Sequence, residues 1–153
     1  MNIALIGFRG TGKTTICRLL ANKLDRKLIS TDEEIEKRTK MSIAMFVKKY
    51  GWERFREIET DVIESISGFD DCVFDTGGGI IMRNENIINL KKNTLIVLLT
   101  ADVKTITNRL KNNKRPALTK SNYLDEINDV LREREERYRT AADYAIDTSR
   151  LAP

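Results

Sequence analysis

The most informative absence in this chain of 153 residues is histidine, of which it contains none. Without histidine, acid–base catalysis by an imidazole is excluded and the commonest zinc ligand is missing. Any chemistry must therefore rest on carboxylates, lysine, arginine, hydroxyl groups and the backbone. Proline and glycine are also scarce, with two and eight residues respectively, and we find neither a repeat nor a linker. The composition is typical of an ordinary globular protein, and we expect a single domain over residues 1–153.

Cysteine and long apolar segments are scarce as well. Cys17 and Cys72 stand alone in apolar surroundings. One disulfide is possible on paper, but we expect two reduced core thiols. No apolar run approaches membrane-spanning length, and the start, MNIALIGFRGTGK, lacks the basic segment and cleavage site of a secretory signal. We therefore expect a cytoplasmic protein that has no membrane partner.

The charge balance favours an anionic ligand, because the net charge is +4. Nucleic acid is one candidate for such a ligand. The basic residues are scattered among acidic ones, however, with a single dense basic stretch around residues 111–120. We expect a monomer that binds small molecules and no nucleic acid.

Short apolar runs alternate with helical patterns, which predicts an α/β protein with a parallel sheet. The strands are expected at residues 2–6, 27–30, 72–75, 94–100 and 144–146. The helices are expected at residues 13–24, over most of 31–67 with a break near residues 50–51, at 102–110 and at 124–142. Residues 111–121 are polar, contain Pro116 and predict a loop of the length of a lid.

Residues 7–14, GFRGTGKT, match the phosphate-binding pattern GxxxxGK[ST] between an expected strand and an expected helix. Glycines let the backbone wrap closely around a ligand, so that N–H groups and the helix N-terminus point at phosphates. The predicted ligands are ATP and Mg²⁺, with Lys13 facing the β- and γ-phosphates and the Thr14 hydroxyl on the metal. A plain glycine-rich turn is the alternative, but the position of the motif argues against it. The expected nucleotide-binding residues of this loop are Gly10, Thr11, Gly12, Lys13, Thr14 and Thr15.

Two expected helices carry charged residues on their apolar faces. In the last helix the charged member is Arg134, in the series Leu124, Ile127, Leu131, Arg134, Tyr138, Ala141. In the helix after Gly51 it is Glu59, with Arg56 at the edge, in the series Trp52, Phe55, Glu59, Val62, Ile63, Ile66. Burying a charge is costly unless it is paired or meets a ligand. One interpretation is an internal ion pair of Glu59 with either arginine. The other is that Glu59 orients an arginine, which presents its planar fork to a substrate carboxylate.

The residues after the second and third strands offer further candidates. Thr31 and Glu34 fit a capping box, in which case Asp32 only favours the start of a helix. Alternatively, Asp32 lies at the carboxyl end of a parallel strand, where it can orient the accepting hydroxyl or take its proton. Three successive glycines, Gly77, Gly78 and Gly79, favour close approach of a ligand over a plain turn. Asp75 ends the third strand, where a carboxylate can hold a magnesium-bound water.

In the predicted lid, Arg115 has the position to swing over the phosphates and stabilise charge in the transition state. A solvated basic loop is the alternative.

Taken in order along nearly the whole chain, these residues resemble the shikimate kinase family. The resemblance rests on GFRGTGKT at 7–14, TDEEIEKRT at 31–39, FREIE at 55–59, GGG at 77–79, Arg115-Pro116, and Arg134 followed by Tyr138. It implies a P-loop NTPase three-layer sandwich whose five-stranded parallel sheet has the order 2-3-1-4-5. It also implies ATP-dependent phosphorylation of the 3-hydroxyl of shikimate.

The resemblance also implies a role for each matching residue. Asp32, Arg56 and Arg134 hold the hydroxyls and carboxylate of shikimate, and the glycine run helps to close the site. Arg115 reaches the phosphates, and Arg109 stacks on adenine. Residues 31–67 supply the substrate-binding helices, and residues 111–121 supply the lid.

One departure from the family pattern concerns the metal. The family usually has an aspartate at the position of Ser30 and a small residue at that of Asp75, so we hypothesise that Asp75 replaces the missing carboxylate.

Two other functions stay open on the sequence alone. These are another small-metabolite kinase, such as a gluconate kinase or a nucleotide kinase, and a non-catalytic nucleotide-binding module.

Overall fold

The computed structural model describes residues 1–111 and 123–152. The strands are β1 (Asn2–Ile6), β2 (Lys27–Ser30), β3 (Cys72–Asp75), β4 (Thr94–Thr100) and β5 (Tyr144–Asp147). The helices are α1 (Lys13–Leu24), α2 (Thr31–Thr39), α3 (Ile43–Ile66), α4 (Asn84–Lys91), α5 (Val103–Leu110) and α6 (Tyr123–Ala141), with a 3₁₀ turn at Ile80–Met82.

The strands pair in parallel in the order β2-β3-β1-β4-β5. This confirms the α/β architecture and the strand order that the family resemblance implies. Because β1 lies at the centre, the loop that follows it opens between β3 and β4. Ligands of open α/β sheets bind at this carboxyl edge, where the chain switches direction.

Helices cover both faces of the sheet, because neighbouring strand residues point to opposite sides. Ala4 and Ile6 of β1 pack into a large core with residues of α3, α4, α5 and α6, whereas Leu5 packs against Cys17 and Ala21 of α1. Each large side chain buried in this way contributes about 1.5–3 kcal/mol. The resulting three layers hold the carboxyl ends of the strands rigidly.

A third, smaller core joins α2 to α3 beside the sheet, around Ile35, Phe46, Phe55 and Val62. The expected break in this region is found at Gly51, whose φ of 83° and ψ of 168° are not helical. Glycine adopts this conformation without the steric strain that a side chain would add. The break kinks α3 at this residue.

The capping box considered as one alternative for Thr31 and Glu34 does not form. Ser30 is the N-cap of α2, and its hydroxyl accepts a hydrogen bond from the Glu33 amide at 3.3 Å. Thr31 Oγ1 instead accepts from the Gly77 amide at 3.0 Å. The Thr31 side chain therefore links the start of α2 to the glycine run after β3.

Other differences from the sequence-based expectations are small. Leu124, expected on the buried face of α6, is half exposed, because it lies in the first turn of that helix. The 3₁₀ turn and α4 were not anticipated. Both cysteines are free and buried, as expected. Within the described ranges, no helix combines the length and apolarity needed to cross a bilayer.

Candidate active site

The loop between β1 and α1 is shaped by glycine. A Cβ atom on Gly7 would lie 2.3 Å from the Leu99 carbonyl oxygen, so only glycine fits beside β4. Gly10 and Gly12 have φ values of 81° and 98°, in the left-handed region. Gly12 is also the N-cap of α1, so the loop delivers the chain directly into a helix N-terminus. The resulting cradle of N–H groups attracts phosphate oxygens.

Lys13, Thr14 and Asp75 line a cavity of about 240 Å³ above this cradle. The Lys13 ammonium curls back over the loop and donates hydrogen bonds to the carbonyl oxygens of Gly7 and Phe8, at 2.7 and 3.0 Å. The Thr14 hydroxyl donates to Asp75 Oδ2 at 2.7 Å. A cation, a hydroxyl and a carboxylate therefore meet at the expected position of the β- and γ-phosphates.

The remaining predicted nucleotide residues fall into two groups. Gly10, Gly12 and Thr15 line the same cavity, as does Arg109 from the last turn of α5. The Thr11 side chain does not, because its hydroxyl is buried within the loop and donates to the Phe8 carbonyl at 2.7 Å.

Arg109 is held on the outer side of the phosphate loop. Its guanidinium donates to the carbonyl oxygens of Gly10 and Thr148, at 3.1 and 2.9 Å. It also borders a wide apolar groove formed by β1, β4, α1 and the residues after β5. Arg115, the predicted lid arginine, lies outside the described residues, as does most of the predicted lid.

A second cavity, of about 370 Å³, adjoins the first and is lined by Asp32, Arg56, Glu59, Arg134 and the glycine run. The structure thus brings together all the residues predicted to bind the acceptor. They come from three separate elements, α2, α3 and α6, and from the segment after β3. Phe8 and Trp52 add apolar surface to the walls.

An ion pair organises the cationic side of this cavity. Arg56 Nη1 donates to Glu59 Oε1 at 2.9 Å, with side chains 13% and 0% exposed. The Arg56 guanidinium also lies 5.3 Å from the ring centroid of Trp52. Burial raises the pKa of Glu59 above its ordinary value, although the charge of Arg56 opposes the shift. Of the two pairings considered from the sequence, Arg56 with Glu59 is the one that forms.

Arg134 approaches the cavity from α6. It is buried, and its Nε makes no hydrogen bond to a described residue. One turn later, the buried Tyr138 hydroxyl donates to the Gly78 carbonyl. Burial raises the pKa of Tyr138, so this group stays protonated and remains a donor. Tyr138 therefore fixes α6, and with it Arg134, against the glycine run.

Close contacts, and not a turn conformation, require glycine at positions 77 and 79, since no positive φ occurs at Gly77, Gly78 or Gly79. A Cβ atom on Gly77 would lie 2.9 Å from Glu59 Oε2 and 3.1 Å from Asp32 Oδ1. On Gly79 it would lie 2.2 Å from the guanidinium carbon of Arg56. A side chain at Gly77 or Gly79 would therefore displace charged groups of the cavity.

Sequence reasoning missed three charged residues of the site: Glu33 and Glu36, which line the acceptor cavity, and the basic residue Arg9. Its side chain lines both cavities, and its Nη2 donates to Glu126 Oε1 of α6 at 3.0 Å. Arg9 occupies a variable position of the phosphate-binding pattern, and 117 residues separate it from its partner. No local pattern signals such a pair.

No group of three or more Cys, Asp or Glu side chains in the described ranges is placed to hold a metal ion. Cys17 lies behind the phosphate loop near Asp75, where burial strongly raises the pKa of its thiol. A protonated, buried thiol is neither a metal ligand nor a nucleophile. Oxygen ligands alone are therefore available beside the phosphate cavity.

Comparison with known proteins agrees with this geometry. The shikimate kinase family model matches residues 9–153. Shikimate kinases from Pelotomaculum thermopropionicum and Thermodesulfovibrio yellowstonii are 41% and 42% identical to the chain, covering 99% of it and 88% of each relative.

Solved structures give the same result. A shikimate kinase from Acinetobacter baumannii in complex with shikimate superposes with a TM-score of 0.94 at 36% identity, covering 99% of this chain and 85% of the other. The enzyme from Aquifex aeolicus superposes with a TM-score of 0.82 at 30% identity, covering 99% of this chain and 88% of the other. The chain belongs to the shikimate kinase family.

Proposed function

We propose that this member of the family transfers the γ-phosphoryl group of ATP to the 3-hydroxyl of shikimate, giving shikimate 3-phosphate and ADP. One observation carries the proposal. The phosphate cavity and the arginine-lined cavity adjoin, and the Asp32 carboxylate lines both of them. A hydroxyl acceptor in one cavity therefore faces a phosphoryl donor in the other, as in-line transfer requires.

On the donor side, the amides of the loop and the N-terminus of α1 bind the phosphates. Lys13 turns from its loop carbonyls toward the β- and γ-oxygens when these are present, and it spreads the charge that develops during transfer. Arg109 borders the adenine, on the rim of the apolar groove. The family resemblance adds Arg115, which lies outside the described residues, as a further phosphate-binding arginine.

On the acceptor side, Arg56 and Arg134 bind the carboxylate. Two guanidinium groups supply several donors in fixed planes, and Glu59 orients that of Arg56. Asp32 lies at the carboxyl end of β2, where it orients the accepting hydroxyl and takes its proton. Trp52 and Phe8 pack on the ring of the acceptor and help to exclude water, which would otherwise compete as acceptor.

The side chains in the phosphate cavity fit a magnesium ion. Mg²⁺ prefers oxygen ligands and usually keeps several waters, with one or two protein groups and the substrate phosphates completing its shell. Thr14 and Asp75 are oxygen donors 2.7 Å apart. When bound, the ion neutralises charge on the phosphates.

Three further features stay predictions of this proposal. The protein acts as a monomer, consists of a single domain, and works in the cytoplasm.

The direct test is ADP formation from ATP and Mg²⁺ with different acceptors. We expect turnover that depends on shikimate, with gluconate and nucleoside monophosphates giving no more than the rate without acceptor. Turnover with one of those controls, and none with shikimate, would leave the kinase activity standing and refute shikimate as the acceptor. ATP binding without turnover on any acceptor would refute the enzyme and favour a nucleotide-binding module.

A further inference from the structure

Arg9 is the basic residue lining the two cavities for which the mechanism above has no role. It lies in the phosphate loop, and among the described residues it shares with Asp32 the property of lining both the phosphate and the acceptor cavity. Asp32 is the proposed partner of the accepting hydroxyl. Arg9 therefore brings a positive charge to the junction that the phosphoryl group crosses.

The Arg9 guanidinium is anchored by one ion pair, but not all of its N–H groups have a hydrogen-bond acceptor among the described residues. Its Nη2 donates to Glu126 Oε1, and the two side chains are only 12% and 4% exposed. Its Nε is buried and makes no hydrogen bond to a described residue. Because an unpaired buried donor is costly, and costlier still on a charged group, this arrangement points to a missing acceptor.

The position of Glu126 links this junction to the acceptor-binding helix. Glu126 and Arg134 are both buried on α6, eight residues or about 12 Å apart along the helix axis. The same helix therefore anchors Arg9 through Glu126 and presents Arg134 to the acceptor cavity. A rigid helix between them fixes the distance from the carboxylate site to the Arg9 guanidinium.

We propose that Arg9 binds the phosphoryl group as it passes from donor to acceptor, and that it then holds the new phosphate on the product. Glu126 is the positioning residue for Arg9. In the transfer, the bond from the γ-phosphorus to the bridging oxygen breaks and leaves its electron pair on ADP. The acceptor oxygen forms the new P–O bond, and its proton passes to Asp32. Arg9 remains protonated throughout and supplies charge only.

This inference rests on the proposed function, since it needs shikimate as the acceptor. A plain buried ion pair, which only ties the phosphate loop to α6, is the competing account of the same contacts. The two accounts differ in one respect. A phosphate-binding arginine distinguishes the phosphorylated product from shikimate, whereas a structural ion pair does not.

Trp52 makes the distinction measurable, because it is the single tryptophan of the chain and lines the acceptor cavity. Its fluorescence gives dissociation constants for shikimate and for shikimate 3-phosphate in the wild type and in Arg9→Met. We expect product affinity to fall about 10- to 100-fold, as when a charge-assisted hydrogen bond is lost, and shikimate affinity to fall less than about 3-fold. The kcat should fall in parallel with product affinity, while the KM for shikimate stays close to that of the wild type.

Three further variants make the test specific. Arg9→Lys keeps the charge and should recover part of the product affinity. Glu126→Gln leaves Arg9 in place without its anchor and should show a smaller, product-selective loss. Arg139→Met removes an exposed arginine of α6 that pairs with Glu135, and it should match the wild type in both constants. If Arg9→Met does not fold, the lysine and Glu126 variants still give the same comparison.

Each remaining outcome decides against one claim. Equal losses for shikimate and product, or no loss for either, would overturn the role of Arg9 and leave the kinase intact. A wild-type protein whose fluorescence responds to neither compound would overturn the proposed acceptor, and the role of Arg9 with it.

Discussion

At the scale of single residues, two carboxylates line the phosphate cavity, Asp32 and Asp75, and the one beside the Thr14 hydroxyl is Asp75, whereas position 30 holds a serine. Positions 30 and 75 are directly paired between β2 and β3. Asp75 accepts from the Thr14 hydroxyl, whereas Ser30 caps α2. In the family pattern the acid usually stands at position 30. We propose that Asp75 takes the role that the family pattern gives to the acid at position 30.

The first prediction follows from this exchange. Asp75→Asn keeps the shape but removes the charge, so the Mg²⁺ concentration for half-maximal activity should rise about 10-fold or more. The double variant Ser30→Asp, Asp75→Ser should recover most of the loss. Ser30→Ala, which removes only a cap worth about 1 kcal/mol of stability, should leave the magnesium titration unchanged. A magnesium titration that is unchanged in Asp75→Asn would refute a role of Asp75 in metal binding.

The second prediction concerns Glu59, whose pKa burial raises above an ordinary value near 4.5. A carboxyl group whose pKa is higher in the folded than in the unfolded state stabilises the fold fully when the pH is below its pKa in the unfolded state. This stabilisation is lost as the pH rises through its pKa in the folded state. Relative to Glu59→Gln, the free energy of unfolding of the wild type should therefore decrease above pH ~4.5, by at most about 1.4 kcal/mol per pH unit.

Urea unfolding from pH 4 to pH 8 measures this difference. Glu57→Gln, an exposed substitution on the same helix, is the control and should give a much flatter difference. A difference that grows with pH would mean that the Arg56 charge outweighs burial, and the direction given for Glu59 would be wrong.

At the scale of elements, the site depends on segments that approach each other unusually closely. The glycine run after β3 passes between α2, α3 and α6, and Gly79 leaves no space for a methyl group beside Arg56. The sequence predicted that three glycines favour a ligand site. It could not show which side chains would fill the space, because these come from α2, α3 and α6.

The third prediction tests this packing. In Gly79→Ala the new Cβ would lie 2.2 Å from the Arg56 guanidinium, which must move. Since a flexible side chain moves rather than the backbone, we expect the KM for shikimate to rise about 10-fold or more with the KM for ATP unchanged. Gly68→Ala, where a Cβ meets nothing within 4 Å, is the matched control. Equal increases in both KM values would contradict a local effect on Arg56.

At the scale of the whole molecule, the sheet and most helices could be predicted because local patterns specify them. Apolar runs mark buried strands, the phosphate-binding pattern marks the turn into α1, and charges on apolar faces mark Arg56, Glu59 and Arg134. The sequence left a capping role for Thr31 open, and it could not decide the matter because the partner of this hydroxyl, the Gly77 amide, is distant in the chain.

The pair of Arg9 and Glu126 could not be predicted for a related reason. The pair depends on how α6 packs against the phosphate loop, and no sequence pattern within either segment predicts that packing. The arrangement of the cavities, likewise, belongs to the folded molecule and not to any one element.

We propose that two arginines, the buried Arg134 and the partly buried Arg56, select the acceptor by its carboxylate. The most direct measurement compares kcat/KM for shikimate and for its uncharged methyl ester, in the wild type and in Arg134→Met. We expect the wild type to prefer the acid about 100-fold or more, and the variant to lose most of that preference by losing activity on the acid alone. A preference that survives unchanged in Arg134→Met would contradict the account.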